Sequence, residues 1–180
     1  IDKGYAISLE TVRENVTCNI LSYEPESLSD MILLIHSRGM PMAVFNAYSV
    51  NGKSLNLTTS PEGILHFVLF DKEARMVSER VWFHRKFDRE TLSARIINSP
   101  TPRNQAYCSL SLNSIGNQKN KGSFSVSVVN KGHTDNDKGV YGIESYLLLT
   151  SDIYGYIENP AYYFTDTTEQ RIKDLDNLML

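Results

Sequence analysis

Apolar and polar residues alternate with a period of two along most of residues 1–85, the pattern of strands with one buried face. Tyr5 to Leu9 alternates, and Asn15 to Leu21 places Val16, Cys18 and Ile20 on one side. Met31 to His36 is a more continuous apolar run, which predicts a strand covered on both faces. Met42 to Val50, Ser54 to Thr58, Ile64 to Phe70 and Met76 to Phe83 complete a set of about seven strands. Asn51-Gly52 predicts a tight turn in which both positions accept positive φ, and Ser60-Pro61-Glu62-Gly63 predicts another. Asp71-Lys72-Glu73 predicts a hairpin joining the last two strands.

His84 to Glu90 is polar and charged, and it predicts a linker. A second alternating set follows. Leu92, Ala94 and Ile96 share a face, Pro100 and Pro102 interrupt, and Ala106 to Leu112 alternates again. Ser114 to Gly122 predicts an exposed loop. Phe124, Val126 and Val128 alternate with serines, a strand with one wet face, and Lys131 to Gly139 predicts a polar loop. Ile143 to Ile153 fits a short helix better than a buried strand. Gly155 to Phe164 is aromatic and predicted to be extended or turn-like ahead of Pro160. Asp166 to Leu180 predicts a helix, with Asp166 or Thr167 as cap and Ile172, Leu175 and Met179 at helical spacing.

The predicted fold class is therefore all-β: two tandem Ig-like β-sandwich domains, residues 1–85 and 86–180, the second carrying a C-terminal helix and open to being incomplete. The 180 residues are enough for two such cores. The net charge of -3 lacks the basic face that nucleic acid requires. No apolar run approaches the about 20 residues of a membrane-spanning helix. The chain begins Ile1-Asp2-Lys3 and ends Leu178-Met179-Leu180, which suggests a segment of a longer protein whose targeting signals lie elsewhere.

Candidate chemistry is sparse. Cys18 and Cys108 each sit in an alternating run and read as small core residues, with a disulfide between them disfavoured by the domain boundary. His36, His66, His84 and His133 show no metal-ligand spacing, and His36 and His66 fall within strands, facing solvent or a satisfied partner. No nucleophile-elbow motif occurs, so no catalytic residue, metal or cofactor is assigned. Asp135-Asn136-Asp137 with Gly139 and Glu144 resembles a calcium loop but lacks the full ligand spacing, and a solvated loop is the better reading. The aromatic segment Tyr154, Tyr156, Tyr162, Tyr163 and Phe164 is the candidate binding surface for a glycan, peptide or protein, because tyrosine offers a flat apolar face with a polar edge. The competing reading packs these rings against the sandwich or a neighbouring domain.

Several segments resemble one family. Glu144-Ser145-Tyr146-Leu147-Leu148-Leu149-Thr150-Ser151-Asp152 and Gly155 to Phe164 are similar to a signature of the macroglobulin-like proteins of Bacteroidetes, relatives of alpha-2-macroglobulin. Pro61 to Asp71, Glu79-Arg80-Val81-Trp82-Phe83 and Phe124 to Val128 resemble strands of such domains, and Asp174 to Leu180 resembles the point where these proteins continue. The resemblance implies macroglobulin-like sandwiches in an exported protein of the periplasm, outer membrane or cell surface, sometimes with a TonB-type plug domain downstream. It implies a non-catalytic module that positions neighbouring domains of the same chain, with a protein or glycan as a further partner. The Cys-Gly-Glu-Gln thioester motif of alpha-2-macroglobulins is absent: Cys18 precedes Asn19-Ile20-Leu21 and Cys108 precedes Ser109-Leu110-Ser111.

Overall fold

A computed structural model describes residues 4–12, 15–23, 25–87, 92–100, 106–114, 125 and 142–180. The chain divides into two compact units, Ile1–Lys86 together with Asp137–Leu180, and Phe87–Asn136.

In the first unit, seven strands form two antiparallel sheets. β1 (Tyr5–Val12), β2 (Asn15–Ser22) and β5 (Lys53–Asn56) form one, in the order β1-β2-β5. β3 (Ile32–Ser37), β4 (Met40–Asn46), β6 (Gly63–Phe70) and β7 (Met76–His84) form the other, in the order β4-β3-β6-β7. Alternation sets which side chains meet between the sheets. Val16, Cys18 and Ile20 from one sheet face Leu33, Ile35, Leu65, Phe67 and Leu69 from the other, all buried in a single core. Trp82 meets the Phe67 ring edge-on, with centroids 6.1 Å apart, and its indole N–H donates to Thr11 Oγ1 at 2.8 Å. The hydrogen bond satisfies the one polar group that this large buried ring carries.

Local chemistry closes the turns. Arg38 and Gly39, with φ of 50° and 75°, link β3 to β4. Asn51 has φ -60° and ψ 127° and Gly52 has φ 71°, so positive φ occurs at the glycine alone, unlike the paired positive values expected of Asn-Gly. The Asn51 side chain is occupied instead: its Oδ1 accepts from the Ile20 backbone N–H at 2.7 Å. The β6–β7 turn is organised by Asp71, whose carboxylate accepts from the backbone N–H groups of Glu73 and Arg75 and from the Arg75 guanidinium. These bonds, the Arg75 N–H first, hold its carboxyl below the ordinary range.

Two strand predictions need correction. The run from Met42 to Val50 does not stay extended: Ala47–Val50 forms one helical turn, α1, because the Asn46 side chain accepts from Ser49 N–H at 3.2 Å and caps it. The β3 strand is not covered on both faces. Leu33 and Ile35 are buried, but Ile32 on the outer face is 48% exposed.

The outer face of the four-stranded sheet is covered at its other end by the C-terminal part of the chain. α2 (Ile143–Ser145) runs into a wider π-type turn over Tyr146–Thr150. A 3-10 turn covers Pro160–Phe164, and α3 spans Glu169–Leu178. Leu149, Ile157, Leu175 and Met179 bury against Ile64 and Phe83, with Val81, Leu148, Tyr163 and Phe164 packed around them. Gly63, with φ 118°, permits this approach, since a Cβ there would sit 3.5 Å from the Leu148 carbonyl oxygen in a conformation L side chains rarely adopt. Residues 142–180 were expected in the second domain; they lie instead in the first unit. The physical reason is the buried second core, which needs both the strand residues and the helical residues. The predicted linker is likewise displaced at its start: His84 ends β7 and Arg85 is buried. His84 Nδ1 donates to the Pro61 carbonyl at 2.9 Å, and Arg85 donates to the Tyr163 carbonyl at 2.7 Å.

In the second unit, β8 (Leu92–Pro100) and β9 (Ala106–Ser114) pair antiparallel from Leu92↔Ser114 to Pro100↔Ala106. The predicted strand over Phe124 to Val128, the Asp135–Asp137 loop and His133 lie outside the described residues, apart from Ser125.

Candidate functional site

The aromatic segment separates into two populations. Tyr154 and Tyr156 project into solvent, with relative exposures of 104% and 82%. Tyr163 and Phe164 pack into the second core, where the Phe164 and Phe83 rings meet at 5.7 Å in an edge-on arrangement. The Arg85 guanidinium lies 5.7 Å from the Phe164 centroid and 5.8 Å from that of Phe83. Tyr162 is half-buried and held from two sides. Its hydroxyl donates to Asp174 Oδ2 at 2.6 Å, and the Arg171 guanidinium lies 3.4 Å from its ring centroid. Donation to Asp174 raises the Tyr162 hydroxyl pKa and lowers that of the carboxyl. The five aromatic residues therefore do not form one open surface; two face solvent and two fill the core.

Among the described residues, a cleft borders the C-terminal layer and a groove lies on the uncovered part of the sheet. One, of about 350 Å³, is lined by Arg38, Met40, Met42, Pro61, Glu62, Leu147, Leu148 and Asp152. Arg38 bridges it, pairing with Asp152 at 3.0 Å and donating to the Leu147 carbonyl and Ser151 Oγ. The other is a groove of about 550 Å³ over the uncovered end of the sheet, with an apolar floor of Ile32, Leu34, Val44 and Phe70 and a rim of Asp30, Asp71 and Lys72.

Between these two regions lies a pair of histidines whose proximity alternation alone did not reveal. His36 on β3 and His66 on β6 are register partners. Their rings stack with centroids 4.8 Å apart and planes within 4°. His66 Nδ1 lies 2.6 Å from Glu79 Oε1. A carboxylate only accepts, so this nitrogen carries the proton. His36 Nδ1 is buried without a partner. Burial first, and then the neighbouring His66, lower the His36 pKa, with Glu79 opposing. Among the described residues, no cluster of three or more His, Cys, Asp or Glu is arranged to hold a metal ion. Cys18 is buried and free, its thiol pushed up to about 12 by desolvation.

No family model matches the chain, and no curated protein matches it significantly. The molecule is mostly β, with a three-stranded and a four-stranded antiparallel sheet and few helices. Among the described residues, no helix is long and apolar enough to cross a membrane.

Proposed function

We propose that this chain is a non-catalytic structural and interaction module of a larger exported cell-envelope protein of the macroglobulin-like kind. The supporting observation is where the long polar side chains Arg80, His84 and Arg85, each buried or largely buried, go. Arg80 donates to the Met179 carbonyl at 2.6 Å, Arg85 to the Tyr163 carbonyl, and His84 to the Pro61 carbonyl. These groups tie the C-terminal layer and the turns to the sheet instead of converging on a cleft. A sandwich clamped in this way is suited to holding neighbouring domains at fixed separation. The strand orders β1-β2-β5 and β4-β3-β6-β7 support an Ig-like sandwich for the first unit.

Fractionation of cells making the native protein, with protease treatment of intact cells and of spheroplasts, tests this reading. Recovery in the envelope or periplasm is expected. Recovery in the cytosol, protected in spheroplasts, overturns it.

A second reading is favoured by Tyr154 and Tyr156, whose open rings suit a glycan or peptide. Loss of binding in a glycan or peptide screen on Tyr154→Ala and Tyr156→Ala, with unchanged stability, is its expected mark. Equal binding by wild type and both variants refutes it.

A further inference from the structure

We propose that His36 and His66 form a proton-operated joint in the four-stranded sheet, closed while the pair is neutral and weakened at mildly acid pH, when charge enters the stack. Register places the pair. His36 on β3 and His66 on β6 stand opposite each other on adjacent antiparallel strands, so both side chains leave the sheet on the same face. Their rings lie 4.8 Å apart with planes within 4°. The next register pair, Ile35↔Phe67, is fully buried and pins the strands at that spacing. Two like charges stacked there oppose the pairing of the strands that carry them. The pair also borders the second core: Val81, the register partner of His66, packs against the cluster of Ile64, Phe83 and Leu149. Loosening at the joint therefore reaches the seat of the C-terminal layer.

The two rings are unequal. His66 Nδ1 lies 2.6 Å from Glu79 Oε1, so a charge on His66 has a carboxylate beside it. His36 has no such neighbour, and its Nδ1 is buried without a hydrogen-bond partner. The neutral ring can keep its proton on Nε2 and bury only a lone pair. The imidazolium carries an N–H at both nitrogens and buries an unmet donor. Among the described residues, the charges acting on His36 are His66, which opposes its protonation, and Glu79, which favours it. On its other side, β4 holds no titratable residue from Met40 to Asn46. Arg80 on β7 is engaged by the Met179 carbonyl and Asp176, and Arg38 in the β3–β4 turn is engaged by Asp152 of the C-terminal layer. Burial first, and His66 second, hold His36 below its ordinary 6.5. The unfolded chain therefore takes up this proton more readily than the native one. The cost to stability is absent above 6.5, sets in as pH falls through that value, and is complete below the lower native value.

The test is urea unfolding of the 180-residue chain at pH values from about 7.5 down to about 5, read from Trp82 fluorescence, in wild type, His36→Gln and Glu79→Gln. This window lies above Asp71, Asp166 and Asp174, whose carboxyls are all held below their ordinary 3.8. Across it, the unfolding equilibrium constant of the wild type should rise by at least ~3-fold more than that of His36→Gln. Glu79→Gln should steepen the rise, because it removes the carboxylate that offsets charge in the pair. Circular dichroism checks that each variant is folded, and His36→Asn replaces His36→Gln if that variant is not. Proton NMR of the wild type follows the same group without any substitution, and the His36 ring should titrate below 6.5 while the fold is intact. Wild-type stability that is flat across the window overturns the proposal. So does a folded His36 variant with the wild-type slope, a Glu79→Gln slope no steeper than wild type, or a His36 ring that titrates at or above 6.5.

Discussion

Leu149→Ala tests whether the C-terminal layer and the sandwich are one cooperative body. Leu149 is fully buried in the second core, against a cluster that includes Ile64 and Phe83 from the sheet and Ile157 and Leu175 from the layer. Truncation to alanine removes three carbons, roughly 2–2.5 kcal/mol at about 0.8 kcal/mol per buried methylene. The void left in a packed site raises the cost to about 3 kcal/mol, within the roughly 2–5 kcal/mol range of such substitutions. For a chain of this size that lowers the melting midpoint by about 6–12 °C. The assay is built into the sequence. Trp82 is the single tryptophan and lies in the first core, between the sheets. Its fluorescence therefore reports the sandwich, while ellipticity near the helical minimum reports the layer. If the two form one body, Leu149→Ala moves both transitions down together. A Trp82 transition that stays in place while the helical signal melts early would refute the reasoning. Tyr154→Ala, at a fully exposed position, is the control and should change stability by no more than about 0.5 kcal/mol.

Other expectations follow from single sites. Gly52→Ala places a side chain at φ 71° with only an ordinary contact to Asn19 Oδ1 at 3.9 Å and should cost about 1–2 kcal/mol by chemical denaturation. Gly63→Ala adds contact with Leu148 to a φ of 118° and should cost more; the reverse order contradicts the described approach of the layer to β6. Cys18 should resist iodoacetamide at pH 8 in the native protein and react once unfolded, as read by peptide mass mapping. Asp174 is held below its ordinary 3.8 by the Tyr162 hydroxyl and then Gln170, and Asp166 by Thr168. The unfolded chain therefore binds more protons than the native one in this range. The stabilisation is present above about pH 3.8 and lost as pH falls through the lower native values. Asp174→Asn should flatten the acid loss of helical ellipticity, and an unchanged acid profile would count against the Tyr162–Asp174 bond.

Much of the first sheet pair was legible because a half-buried strand writes its own period. Val16, Cys18 and Ile20 were placed on one face by alternation, and that face is the core. The C-terminal helix was legible for the same kind of reason: Ile172, Leu175 and Met179 recur at helical spacing, although α3 starts at Glu169, after the predicted caps. Asp166 still acts at that end, accepting from the Thr168 backbone N–H and hydroxyl. Ala47–Val50 was misread because four residues are too few to show a period, and the deciding contact is the Asn46 cap. The Asn46-to-Ser49 spacing was a signal available in the sequence.

What periodicity cannot carry is which surfaces meet across the chain. Ile64 and Phe83 belong to strands that were predicted as a hairpin, yet their side chains point away from the first core and are buried by residues more than 60 positions later. Nothing in the spacing of Leu149 or Met179 says which sheet they cover, and so the layer was assigned to the nearer neighbour in sequence. The histidine pair has the same origin. His36 and His66 are ordinary outward-facing strand residues until β3 and β6 are placed side by side; then the register Ile35↔Phe67, fixed by two buried core residues, brings the rings together one position further along. A slip of one residue would bury His36 and expose Ile35, so the apolar core that sets the register also creates the polar pair. That coupling makes the pair a property of the fold, and a substitution that disturbed the β3–β6 register would disperse it even with both histidines intact.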